Sequence, residues 1–173
     1  MHSYLLLCCF LFLSITAIGQ DIFDLARTGD IRALETYNKT NPDSFNTEND
    51  QGYTPLMLAA YHGNVQAATY LVAHGAELNG ESKYGTPIMA AAIKGNKEIV
   101  GLLLSQGADL NKADSNGTTA LLYASIFSLN DIAEVLLNGG ANPALKDSKG
   151  NTALDYAILT QNETLIKLLN LYQ

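Results

Sequence analysis

The sequence predicts an all-α solenoid in which helix-turn-helix units stack side by side. Two recurring features predict this fold. A turn threonine returns after 32, 33 and 33 residues, and a Gly-Ala pair that closes the unit returns in the same register. A period of about 20 to 50 residues indicates a repeat architecture, because each unit can bury its apolar face only against its neighbours. The threonines are Thr54, Thr86, Thr119 and Thr152, and the pairs are Gly75-Ala76, Gly107-Ala108 and Gly140-Ala141.

The N-terminal segment Met1–Gly19 has the pattern of a secretory signal peptide. Tyr4–Ile18 is a mostly apolar run of 15 residues, and small residues stand at Ala17 and Gly19, before the expected cleavage site. The run is shorter than the roughly 20 apolar residues that a membrane span needs. We therefore expect a secreted or periplasmic protein. An uncleaved, membrane-anchored form remains the alternative, since the only positive charges before the run are the α-amino group and His2.

Residues 20–173 are predicted to form one domain of five units. The unit boundaries are 20–48 for an N-terminal cap, 49–81, 82–113, 114–146, and 147–173 for a C-terminal cap. In the first unit, Asp21 can cap a helix that ends at Gly29, and a second helix is expected over Ile31–Tyr37. The last unit lacks the closing Gly-Ala pair and carries charge at Glu163 and Lys167, as expected for a terminal unit that faces water on one side.

The internal units show why stacking is required, and Tyr84–Asn111 is the clearest of them. A Gly-Thr-Pro turn leads into an alanine-rich helix that ends at Gly95, and a second helix carries the apolar pairs Ile99-Val100 and Leu103-Leu104. The turn glycine permits a positive φ, the threonine can cap the helix, and proline suits the first helical position. The turn glycines are Gly52, Gly85, Gly117 and Gly150.

This pattern resembles the ankyrin-repeat family over nearly the whole of residues 20–173. Thr54–Ala59 contains the family's T-P-L-x-x-A core. The resemblance implies an ankyrin-repeat solenoid with short β-hairpin-like turns. The sequence departs from the family pattern in three ways. The histidine that commonly follows T-P-L is absent, and some units replace the proline or the mid-repeat glycine. One residue is also missing between Gly85 and Thr86. The replacing residues are Met57, Met89, Leu122 and Asp155 for histidine, Ala120 and Ala153 for proline, and Ser128 and Gln161 for glycine.

Composition excludes several function classes. The chain carries 17 acidic and 10 basic residues, for a net charge of −7, and no run of lysine or arginine. Nucleic acids and anionic lipids require clustered positive charge, so we expect no nucleic-acid partner, and membrane contact only if Met1–Gly19 is retained. Cleavage would remove both cysteines, Cys8 and Cys9, and with them any thiol chemistry.

The sequence shows no convergent catalytic or metal-binding set. His62 and His74 are separated, and His74 is expected to close a second helix rather than to act on a substrate. The acidic residues Asp109, Asp114, Asp131 and Asp147 recur with the repeat instead of clustering at ligand spacing. No phosphate loop, nucleophile elbow or zinc-protease motif is present. We expect no enzyme, no cofactor and no metal; stoichiometric metal in purified protein would revive an enzyme or metal-protein hypothesis.

The resemblance instead implies a non-catalytic module, expected to be a monomer, that binds another protein on the concave face of the solenoid. That face would be built from turn tips and from the exposed ends of first helices. Tyr61, Tyr84 and Phe127 are the expected anchors, because aromatic side chains often dominate protein interfaces. Tyr70, Tyr123 and Tyr156 are predicted to belong to the core. The predicted site residues are Tyr53, Tyr61, His62, Lys83, Tyr84, Ile93, Lys94, Asn116, Ile126, Phe127 and Lys149.

Cleavage after Gly19 would leave Gln20 at the N-terminus of the exported protein, directly before the first predicted helix. Intact-mass measurement of the exported protein tests this expectation. A mass that still includes Met1–Gly19 would favour the membrane-anchored form.

Overall fold

The computed structural model describes residues 21–80, 82 and 84–172. In this part of the chain, ten α-helices follow one another as five pairs. The first helices of the pairs are α1 (Ile22–Thr28), α3 (Pro55–His62), α5 (Pro87–Ile93), α7 (Ala120–Ile126) and α9 (Ala153–Leu159). The second helices are α2 (Ile31–Thr40), α4 (Val65–Ala73), α6 (Lys97–Ser105), α8 (Asn130–Asn138) and α10 (Glu163–Asn170).

The pairs stack in two layers, as the repeat pattern predicts. Each first helix packs against the first helix of the next pair, and each second helix packs against the next second helix. One apolar core therefore runs along the whole stack. Small residues line the contact between first helices, where Ala59, Ala60, Ala91, Ala92 and Ala124 have no exposed surface. The predicted all-α solenoid is confirmed.

Side-chain caps begin most of the first helices. The carboxylate of Asp21 accepts from the Asp24 N–H at 2.8 Å, and the hydroxyls of Thr54, Thr119 and Thr152 accept from the N–H three residues on. Thr86 differs from the prediction, because its buried hydroxyl has no hydrogen-bond partner in the described chain. The cap expected at α5 is therefore not formed by the threonine side chain.

The turns before α3, α7 and α9 are closed by the same backbone hydrogen bond. In the second unit, the N–H of Asn49 donates to the carbonyl of Tyr53 at 3.1 Å. The turn before α5 is one residue shorter, so the N–H of Ser82 donates instead to the carbonyl of Gly85 at 3.1 Å, in an isolated antiparallel bridge. Gly85 has φ +98°, and a Cβ there would lie 2.3 Å from the Met89 sulfur. This position therefore requires glycine.

The connection after α2 is more ordered than its polar sequence suggests. The helix extends to Thr40, beyond the predicted Ile31–Tyr37, and a 3₁₀ helix follows over Pro42–Asn46. Phe45 lies in this 3₁₀ helix and is buried. Its ring packs edge-on against Tyr70 at 6.1 Å, which ties the connection to the second unit.

Asparagine side chains link successive units. The amide of Asn64 donates to the carbonyl of Ala26 at 3.1 Å, and the amide of Asn96 donates to the carbonyl of Ala60 at 2.7 Å. These bonds satisfy carbonyl groups at the end of the preceding first helix, which otherwise lack intrahelical partners. A second row joins the loops, where the Asn79 carboxamide oxygen accepts from the Asp109 N–H at 2.8 Å.

Two irregular features mark the later units. Ser128 and Gln161 adopt φ of 56° and 54°, where the earlier units use glycine, so both hold a left-handed conformation that is unfavourable for these residue types. Ile158 is 55% exposed, although the aligned Ala92 and Ser125 are fully buried against a following unit. Ile158 thus lies on the open end of the described stack.

Within the described residues, no helix has the length and apolarity to cross a membrane.

Leu103→Ala should lower the free energy of unfolding by about 2–4 kcal/mol, because Leu103 has no exposed surface and lies in a helix packed between two neighbouring helices. Denaturant unfolding measures this loss. Ile158→Ala is the matched control, since the same kind of truncation at a half-exposed position should cost less than about 1 kcal/mol. Similar losses in the two variants would contradict the assignment of Leu103 to the core.

Candidate protein-binding groove

A groove of about 680 Å³ lies on the side of the stack formed by the turns and the first helices. It crosses from the first unit to the fourth. Its lining combines aromatic walls, an apolar floor and polar turn residues. The lining residues are Arg27, Asn49, Gln51, Tyr53, Met57, Leu58, Tyr61, His62, Tyr84, Ala90, Ile93, Asp114, Asn116 and Tyr123.

The first aromatic feature of the groove is a stacked pair of tyrosines. The rings of Tyr53 and Tyr84 lie 4.7 Å apart and 19° from parallel. Tyr53 occupies the turn position that the shorter third turn lacks, and Tyr84 precedes the turn glycine of that third unit. The pair therefore joins two units, and 42% of Tyr84 remains exposed.

A second aromatic feature surrounds Tyr61 at the end of α3. The Lys94 ammonium nitrogen, from the end of the next first helix, lies 4.8 Å from the centre of the Tyr61 ring. The His62 ring meets Tyr61 edge-on at 5.4 Å. A cation over an aromatic face contributes about 0.5–1 kcal/mol at exposed sites. The contact also holds a positive charge beside the groove.

Tyr123 forms the far wall. Its hydroxyl donates to Asp114 Oδ2 at 2.6 Å, while Asp114 Oδ1 accepts from the N–H groups of Asn116 and Thr118. Burial, and then the bond to Asp114, raises the pKa of Tyr123 well above its ordinary value. The ring of Phe127 lies nearly parallel to that of Tyr123, at 6.3 Å, and 52% of Phe127 is exposed.

The floor of the groove contains two residues that are smaller than their counterparts in the later units. The aligned position lies four residues after the turn threonine of each unit. It holds Leu58 in the second unit, Ala90 in the third, Tyr123 in the fourth and Tyr156 in the fifth. Tyr156 repeats the arrangement of Tyr123, because its hydroxyl donates to Asp147. The smaller Leu58 and Ala90 are nearly buried and line the groove at the position that a tyrosine ring takes in the later units.

Charge is distributed unevenly around the groove. The first helices α3, α5 and α7, which are described throughout, contain no acidic residue, although the chain has a net charge of −7. Asp114 is the only acid among the described lining residues. The neighbouring cations are Lys94 and Arg27, and Arg27 pairs with Asp24 at 2.7 Å. Lys94 is therefore the cation best placed to meet a ligand.

The structure brings most of the predicted site residues together. Those lining the groove are Tyr53, Tyr61, His62, Tyr84, Ile93 and Asn116. Lys94 contacts Tyr61, and Phe127 stacks on Tyr123. Ile126 is half-buried on α7 and Lys149 is exposed in the last turn, and neither lines the groove. Lys83 lies outside the described residues.

Sequence reasoning missed the floor and the far wall. Tyr70, Tyr123 and Tyr156 pack against the core as predicted, but each remains partly exposed, and Tyr123 lines the groove. The sequence signal for the floor was the column of Leu58, Ala90 and two tyrosines, which only a comparison between units reveals.

The histidine and acidic side chains of the described residues do not converge on a metal site. No group of three or more histidine, cysteine, aspartate or glutamate side chains lies close enough among them to hold a metal ion. His74 closes α4, where its Nδ1 lies 2.8 Å from the Tyr70 carbonyl and its ring stacks on Tyr70 at 4.0 Å. His74 is thus occupied by a structural contact.

Comparison with known proteins places similarity along most of the stack. A family described as ankyrin repeats (3 copies) matches residues 22–114, and one described as ankyrin repeats (many copies) matches residues 103–157. A stretch of 60 residues is 35% identical to part of palmitoyltransferase AKR1 from Gibberella zeae. The stretch covers 35% of this chain but 8% of the palmitoyltransferase, so it samples a small part of that protein.

Tyr123→Phe should lower the free energy of unfolding at pH 7 by about 1–2 kcal/mol, because it removes a hydrogen bond to a carboxylate. The folded pKa lies above the unfolded value of 10.0, so wild type loses stability as pH rises past about 10, where only the unfolded tyrosine ionises. The phenylalanine variant lacks this loss. The difference in free energy of unfolding between wild type and Tyr123→Phe, measured by urea unfolding, should therefore narrow above pH 10.

Leu103→Ala is the control for this pH series, because it changes no titrating group. Its difference from wild type in free energy of unfolding should stay constant across the series. A gap between wild type and Tyr123→Phe that stays constant or widens above pH 10 would contradict the assigned contact.

Proposed function

The chain belongs to the ankyrin-repeat family, and on this basis we propose that it is a monomeric, non-catalytic module that binds another protein through the groove. Ankyrin repeats generally mediate binding to other proteins and are generally non-catalytic. The similarity to the palmitoyltransferase falls within the repeats of this chain, so it gives no support for acyl-transfer activity here.

The observation that carries the proposal is the convergence of aromatic side chains from successive units on one surface. Tyr61, Tyr84 and Phe127 are each at least 42% exposed, although large aromatic side chains are usually well covered in folded proteins. Aromatic residues lose few rotamers on binding and are enriched among residues that dominate interface energy. The groove beside them can receive side chains from a partner.

The proposal includes export from the cytoplasm, with Met1–Gly19 as a cleaved signal peptide. The apolar run and the small residues Ala17 and Gly19 support it. In the alternative form, an uncleaved N-terminal segment would tether the same binding module to a membrane. Both forms use the same groove, so localisation does not alter the binding hypothesis.

Tyr84→Ala should weaken partner binding at least about tenfold, because truncation of an interface anchor typically costs about 2 kcal/mol or more. It also removes the stack on Tyr53, so the free energy of unfolding should fall by no more than about 1.5 kcal/mol. The purified domain is used to capture partners, and quantitative mass spectrometry compares wild type with the variant. Thermal unfolding verifies that the variant remains folded.

Lys167→Ala is the matched surface control, since Lys167 is exposed on α10 and does not line the groove. It should capture the same partners as wild type. Normal capture by Tyr84→Ala together with loss in Lys167→Ala would place the binding surface elsewhere.

A further inference from the structure

We propose that the partner enters the groove as an extended segment that places one bulky apolar side chain over Leu58 and Ala90 and a carboxylate beside Lys94. This inference rests on the proposed protein-binding function and specifies the chemistry of the bound segment.

The requirement for a bulky apolar side chain follows from the register of the repeat. In the fourth and fifth units, Tyr123 and Tyr156 fill the aligned position and pack against the core. In the second and third units, the same position holds Leu58 and Ala90, which are nearly buried, and the space above them opens into the groove. The protein's own tyrosines therefore show the size of side chain that this surface accepts.

The surrounding contacts suit an aromatic or large aliphatic side chain. The stacked rings of Tyr53 and Tyr84 lie on one side, Tyr123 lies on another, and Met57 and Ile93 add apolar surface. A side chain held between these groups would lose most of its contact with water, and burial of apolar area is the main source of affinity at such anchors.

The requirement for a carboxylate follows from the distribution of charge. Lys94 is held beside the groove by its contact with Tyr61, and α3, α5 and α7 present no acid to oppose a negative partner. Asp114 is the one acid in the described lining, and both of its oxygens already accept hydrogen bonds. A carboxylate is therefore attracted at Lys94, whereas the exposed Asp50, between the lining residues Asn49 and Gln51, disfavours negative charge at that turn.

The shape of the groove favours an extended segment. Its lining comes from four successive units, between Arg27 and Tyr123, and it crosses the first helices instead of following one of them. Neighbouring helix axes lie about 8–10 Å apart, so the groove crosses about 25–30 Å. An extended chain advances about 3.3 Å per residue, and eight or nine residues would cover this length.

Selection from a displayed library of random peptides of about twelve residues tests the proposal. Wild-type domain is the target, and a Leu58→Tyr/Ala90→Tyr double variant is the counter-target, since tyrosine is the residue that the fourth and fifth units already hold in this column. Enriched peptides should carry a bulky apolar residue with aspartate or glutamate nearby. The most enriched peptide, synthesised and titrated, should bind the double variant at least about tenfold more weakly than wild type.

Lys94→Glu provides a second variant that does not depend on the double variant folding. It should weaken the same peptide at least about tenfold, and Lys167→Glu, with the same charge change on α10, should bind as wild type does. Replacing the peptide's acidic residues by alanine should reproduce the loss. Enrichment of basic peptides, absence of enrichment, or equal binding to wild type and Lys94→Glu would overturn the proposal.

The two proposals fail in different ways. If Tyr84→Ala loses the captured partner while Lys94→Glu and the double variant retain it, the groove binds protein but this description of its occupant is wrong. If all three variants retain the partner, the groove is not the binding surface and both proposals are overturned.

Discussion

Close packing of the first helices through small side chains is the constraint on which the structure depends. Ala59 and Ala60 of α3, Ala91 and Ala92 of α5, and Ala124 of α7 have no exposed surface. Helix separation is set by the side chains at the contact, so these alanines allow successive first helices to approach closely and at a constant spacing. Equivalent residues then lie side by side from unit to unit. The groove exists because this alignment brings turn and helix positions of several units to one surface.

Hydrogen bonds between units fix that alignment. Apolar packing between alanine-rich helices is poorly directional and would tolerate sliding, whereas the amides of Asn64 and Asn96 reach particular carbonyls of the preceding first helix. The Asn79 carboxamide oxygen similarly accepts a hydrogen bond from the N–H of Asp109, in the closing loop of the next unit. Each bond contributes only about 0.5–1.5 kcal/mol, but the Asn64 and Asn96 bonds are partly buried, so leaving their groups unpaired would cost more. At the two asparagines Asn64 and Asn96, the penalty for misalignment therefore adds to the packing that sets the register.

The repeat explains which parts of the fold were predictable. Turn glycines, capping threonines and apolar pairs recur, so each unit supports the interpretation of the others, and the helices lie where the period places them. Prediction failed where a residue has no equivalent or where its surroundings come from another unit. Thr86 does not cap α5, in the unit with the shorter turn. Phe45 is buried by a 3₁₀ helix that has no counterpart later, and Tyr123 packs on the core while facing a groove whose depth depends on two other units.

Of these three residues only Tyr123 lines the groove, and other departures from the repeat also shape that surface. Tyrosine in place of Leu58 and Ala90 would make this column the same as in the fourth and fifth units, with bulkier side chains along the groove. A full-length third turn would also change the spacing that brings Tyr84 against Tyr53 at 4.7 Å. Regular positions thus supply the packing that holds the units together, and irregular positions supply a surface that differs from unit to unit. Such differences let a ligand bind in one register, whereas a strictly periodic surface would offer several equivalent registers.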